Sequence, residues 1–103
     1  MASQTLPSVD HLHARRYGTC STAALTTSSS TAALTVGTMY LVTANSSWHF
    51  AQGASASITA TVASSFPIPA YSVIEVYAST DNDGVAAILD SGTGTLYCLP
   101  VLP

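Results

Sequence analysis

Thr38-Met39-Tyr40-Leu41-Val42-Thr43-Ala44-Asn45-Ser46-Ser47-Trp48-His49-Phe50 is the stretch that decides the fold class. Its opening residues are β-branched, aromatic or long and apolar, the types that suit a pleated, half-buried surface. Gly37 opens the run and Asn45-Ser46-Ser47 ends it, because Asn and Ser side chains bond their own backbone in turns. Trp48-His49-Phe50 begins a second strand, which ends at Gly53. Two short strands joined by turn residues predict β-sheet. The period of two also predicts that the His49 side chain points to the opposite sheet face from Trp48 and Phe50.

The same texture extends in both directions. Ser57 to Ala63 alternates Ile58, Ala60 and Val62 with Ser57, Thr59 and Thr61, which predicts another strand with one apolar face. Phe66-Pro67-Ile68-Pro69 is excluded from the centre of a sheet, because proline cannot donate to the ladder. It reads as a connection crossing between sheets. Ser72 to Ser79 is a strand with Val73, Glu75 and Tyr77 on one face and Ile74 and Val76 on the other. The turn Asp81-Asn82-Asp83-Gly84 leads to an apolar strand, Val85 to Leu89. Gly92-Thr93-Gly94 leads to the next, Thr95 to Leu99, and Pro100 and Pro103 close the chain. On the N-terminal side, Ala23-Ala24-Leu25 runs into a Thr/Ser loop, Thr26 to Ser30. Thr and Ser around Thr31-Ala32-Ala33-Leu34 weigh against a helical turn there.

About seven short strands with regular turn signals predict an all-β, single-domain antiparallel β-sandwich, jelly-roll-like, over residues 18–103, with a small barrel as the alternative. Residues 1–17 differ from the rest. They hold both arginines, two of the three histidines and few periodic apolar positions, and predict an extended N-terminal arm.

Charge narrows the function classes. Between Arg16 and Glu75 there is no Asp, Glu, Lys or Arg, which leaves His49 as the side chain of ordinary acid–base use. Charged residues are 7% of the 103, where about 25% is usual. Disorder is opposed by the 48% hydrophobic content and the mean hydropathy of +0.38. A chain that is apolar yet lacks a charged surface is expected to be covered in an assembly. Two arginines are too few to track a phosphate backbone, so no nucleic acid is expected. No apolar run reaches the roughly 18 residues of a membrane helix, so no membrane partner is expected. The first residues lack a basic start followed by an apolar core, which predicts cytoplasmic synthesis. Cys20 and Cys98 are then expected to be reduced, half-buried thiols, and Asn45-Ser46-Ser47 an unused glycosylation pattern.

Little chemistry survives this filter. His11 and His13 share one side of an extended segment, but no third ligand is fixed, so no metal is expected. Asp81-Asn82-Asp83-Gly84 lacks the spaced ligands and terminal bidentate Glu of a calcium loop, and reads as a turn. A serine, His49 and Asp83 or Asp90 make a triad only on paper, with no G-x-S-x-G elbow in support. No catalytic residue and no cofactor are expected. The arm residues His11, His13, Arg15 and Arg16 are expected to contact a neighbouring subunit.

Three segments carry a family resemblance: MYLVTANSSWHFAQG (39–53) before a Thr/Ala/Ser stretch, the proline-containing FPIPAYSVIEVYA (66–78), and GVAAILDSGTGTLYCLPV (84–101). In this succession the chain resembles small β-sandwich structural proteins encoded beside capsid genes in tailed bacteriophages. The resemblance covers Gly37 to Val101 and implies that Gly-Thr-Gly-Thr-Leu forms a closing hairpin. It further implies a virion location and a decoration or cement role on the major capsid protein lattice, with further copies of the chain as partners in a trimer or dimer. A neck, tail or fibre-base component is the alternative. From a different class, the spread aromatics suit a carbohydrate-binding adhesin module.

Overall fold

A computed structural model of the chain describes residues 16–102. Nine strands occur among the described residues: β1 (Arg16–Tyr17), β2 (Ser21–Leu25), β3 (Ser30–Ala33), β4 (Met39–Ala44), β5 (Trp48–Gly53), β6 (Phe66–Ile68), β7 (Ile74–Tyr77), β8 (Gly84–Ile88) and β9 (Gly94–Leu102). They form two antiparallel sheets. One has the order β1-β9-β4-β7, with β2 pairing β9 beyond β1. The other has the order β3-β8-β5-β6. The chain is an all-β sandwich.

Alternation along each strand builds the core. In β4, Tyr40, Val42 and Ala44 are buried while Met39, Leu41 and Thr43 remain partly exposed. Tyr40, Val42, Val76, Leu96 and Cys98 of the first sheet pack in one cluster with Trp48, Ile68, Val85 and Ala87 of the second. Each fully buried aliphatic side chain contributes about 1.5–3 kcal/mol. Trp48 and Phe50 meet edge to face, with ring centroids 5.7 Å apart. The buried Tyr40 hydroxyl accepts a bond from the Thr35 N–H at 2.9 Å, which satisfies its polar end.

The predicted faces of residues 72–79 hold. Val76 is buried and Ile74 packs against the core, while Val73, Glu75 and Tyr77 are exposed. Other expectations are corrected. Ser57 to Ala63 is not a strand: the Ser57 and Ile58 amides bond the Ala54 carbonyl, and the Ser65 amide bonds that of Thr61. Thr61 N–H donates to Ser65 Oγ at 2.9 Å and Ser64 N–H to Thr61 Oγ1 at 3.1 Å. Local hydroxyl bonds of this kind compete with the ladder. Phe66–Ile68 is itself a strand, and proline is tolerated because β6 lies at a sheet edge. The crossing between sheets comes just after it. The Gly92–Gly94 turn is no hairpin, since β8 and β9 belong to different sheets.

β9 does not stop before Pro100 but continues to Leu102. The Pro100 carbonyl accepts from Gly18 N–H at 2.9 Å. In an antiparallel strand a residue's N–H and C=O share one side, so the missing donor faces the break between β1 and β2. The sheet also begins earlier than the arm boundary at Tyr17, because Arg16 pairs with Leu102 and Tyr17 with Val101.

The outer faces of the two sheets differ. In the four-stranded sheet the row Thr31, Ala86 and Ala51 points away from the core, yet Ala86 is 0% exposed. Residues 54–65 lie across it. Thr31 Oγ1 bonds the Ile58 carbonyl at 3.4 Å, Ala60 N–H bonds Ser29 Oγ at 2.9 Å, and Ala60 is buried. A Cβ on Gly84 would sit 2.5 Å from Ser55 Cα, so only glycine lets this segment approach.

Candidate functional site

A depression of about 380 Å³ is lined by Ser47, Trp48, His49, Pro67, Ile68, Pro69 and Asp90. Three local features shape it. Alternation in β5 turns Trp48 inward and His49 outward. The edge strand β6 sets Pro67 opposite His49. The turn after β8 brings in Asp90, whose Oδ1 lies 3.0 Å from His49 Nε2.

The other ring nitrogen, Nδ1, is 3.4 Å from the Ser65 carbonyl. Each nitrogen therefore faces an acceptor, and neither is placed to take a proton from a serine hydroxyl. Ser47 lines the depression, but no hydrogen bond joins it to His49 among the described residues. Asp90 is 67% exposed, so the pair contributes at most about 1 kcal/mol and is screened by salt. This geometry orients and clamps the imidazole, tying the start of β5 to residues 65 and 90. The period of two predicts the direction of His49, but the Asp90 partner lies 41 positions away and no local signal points to it.

Asp83, the other triad candidate, lies elsewhere. Its carboxylate accepts from Ser55 N–H at 2.8 Å, and that bond holds its pKa below the ordinary aspartate value. Asp83 thus anchors the start of the covering segment, while Asn82 pairs with Ser79 across the turn. Among the described residues no group of three or more His, Cys, Asp or Glu is placed to hold a metal.

The two thiols are unlike each other, and the expectation of two half-buried groups is corrected. Cys20 is exposed, whereas Cys98 is 2% exposed on the core side of β9. They are not bonded to each other. Burial, with a smaller contribution from the charge of Cys20, pushes the Cys98 thiol up to about 11.

Of the arm residues, Arg16 is exposed in β1. His11, His13 and Arg15 lie outside the described residues. Exposed apolar side chains cluster by sequence along β6 and the crossing that follows it: Phe66 at 67%, Tyr71 at 74% and Val73 at 61%. Tyr71 adopts a left-handed backbone, φ 64°, and its N–H bonds the Ala44 carbonyl at 2.8 Å. A bulky residue rarely holds this conformation. No family model, curated protein or solved structure matches this chain.

Proposed function

We propose that this chain is a structural protein of a bacteriophage virion, a capsid decoration or cement protein that binds the major capsid protein lattice and stabilises the head. The observation that carries the reading is a sandwich with almost no charge between Arg16 and Glu75 that still exposes large apolar side chains at Phe66, Tyr71, Val73 and Tyr77. Such a surface suits repeated, covered contact. The resemblance of residues 37–101 to phage β-sandwich proteins supplies the kind of assembly. The His49–Asp90 clamp, with both ring nitrogens facing acceptors, fits a brace rather than a proton shuttle.

A protein that binds only the assembled shell shifts its disassembly by mass action. Each neutral hydrogen bond contributes about 1 kcal/mol net, so the stabilisation comes from many copies together. With few ion pairs involved, binding depends weakly on salt.

The test is thermal rupture of particles with and without the protein. Stripped particles are expected to lose DNA at lower temperature, and added protein restores them at low and high ionic strength. Unchanged rupture rejects the cement role. Copy number separates the readings that remain: hundreds per particle mean capsid, whereas a dozen or fewer mean neck, tail or fibre base. Removing residues 1–15 is expected to weaken particle binding while the β fold remains.

A further inference from the structure

We propose that Cys20 and Cys98 form a redox-sensitive staple, a disulfide that closes in an oxidising milieu and ties the base of β1 to β9. The placement comes from a bulge in the sheet. Tyr17 pairs with Val101 and Ser21 with Cys98, so residues 18, 19 and 20 stand opposite only 99 and 100. Gly18 takes the Pro100 rung: its N–H bonds the Pro100 carbonyl at 2.9 Å, and a Cβ there would meet Pro100 Cγ at 2.8 Å. Thr19 and Cys20 then have Leu99 alone between that rung and the Ser21–Cys98 rung. A bulge interrupts side-chain alternation and re-aims its residues, which frees Cys20 from the face opposite to that of Ser21 and Cys98.

Three observations bring the two thiols together. Paired Cα atoms lie about 4.5–5.5 Å apart and one residue adds about 3.4 Å along the strand, which sets Cys20 about 6 Å diagonally from Cys98. A disulfide spans about 4.4–6.8 Å between its Cα atoms. The Cys20 thiol turns forward to donate to the Ser21 carbonyl at 3.6 Å, and Ser21 Oγ donates to the Cys98 carbonyl at 3.4 Å. Cys98 also feels its neighbour, since burial first and the charge of Cys20 second push its thiol up to about 11.

Exposure sets the order of the chemistry. The oxidant is a small-molecule disulfide of the glutathione class. Cys20, the exposed thiol, gives up its proton and attacks that disulfide, which forms a mixed disulfide and releases one small thiol. Cys98 then gives up its proton and attacks the Cys20 sulfur, which releases the second small thiol. Two protein thiols thus lose two hydrogens, and one small disulfide becomes two thiols. The raised Cys98 thiol makes this second step the slow one. The staple secures a weak place, because β1 is two exposed residues held by two rungs. It does not depend on the virion reading above.

The full chain, held at about pH 8.5 with oxidised or reduced glutathione, tests it. In the oxidised sample peptide mapping is expected to find Cys20 joined to Cys98 within one chain. Hydrogen exchange at the Gly18 amide should slow at least about tenfold, and the thermal midpoint should rise by at least about 5 °C. Dithiothreitol should reverse all three. Cys20→Ser, at an exposed position, should fold as the wild type does and show none of them. A lasting glutathione adduct on Cys20 overturns the staple, as does a Cys20–Cys20 link between two copies. So does an unchanged Gly18 exchange rate in the linked chain, or the same shifts in Cys20→Ser.

Discussion

The outer faces of the two sheets are built from side chains of different size. Across the four-stranded sheet, residues 54–65 fold back so that Ala86 and Ala60 are buried. Across the five-stranded sheet, Met39, Leu41, Leu99 and Val101 form an equally apolar surface but remain partly exposed. The difference lies in side-chain size. Thr31, Ala51 and Ala86 are small enough for a backbone segment to lie close over them, and Gly84 clears its entry. The other face carries the larger leucine, methionine and tyrosine side chains.

Substitution of matched positions breaks this comparison most sharply. Ala86→Asp puts an unpaired carboxylate under the covering segment and is expected to cost at least about 3 kcal/mol. Leu41→Lys, at a partly exposed position of the five-stranded sheet, should cost less, about 1 kcal/mol. Urea unfolding of both measures the contrast, and equal losses would show that the two faces are alike.

The cover itself is tested next. Gly84→Ala forces a Cβ against the Ser55 backbone and is expected to destabilise by about 1–3 kcal/mol. Proteolysis within residues 54–65 should quicken at the same time. A stable, protected variant would mean that the approach is not tight.

A smaller effect follows from pH. The Asp83 carboxyl titrates lower in the folded chain than in the unfolded one, because Ser55 N–H bonds its charged form. Its contribution is fully present above the unfolded value and is lost as pH falls through the folded one. The midpoint of urea unfolding should therefore decline below about pH 4, and Asp83→Asn should flatten part of that decline. Hydrogen exchange at the Ser55 amide should quicken over the same window.

The smallest effect belongs to Tyr71. Asparagine tolerates the left-handed conformation better, and the exposed ring makes little packing to lose. Tyr71→Asn is expected to stabilise by up to about 1 kcal/mol in thermal unfolding. A loss of more than that would show that the ring is packed against something.

Much of this molecule is legible along the chain. The run from Thr38 to Phe50, the faces of residues 72–79 and the outward turn of His49 all follow from alternation and turn chemistry. Ser57 to Ala63 shows where that logic fails, since its alternation is genuine but its hydroxyls bond neighbouring backbone and close two turns instead. Phe66–Ile68 shows the converse, a proline-bearing strand permitted by its place at an edge.

By itself the sequence determined the all-β class, the two faces of residues 72–79 and the scarcity of charge, because these depend on residue type and a period of two. Only the tertiary structure decided that β8 and β9 part into different sheets, that Asp90 meets His49, and that residues 54–65 cover the outer face of the four-stranded sheet. Those outcomes depend on strand order and register, which are set by the packing of residues tens of positions apart and leave no local mark in the chain.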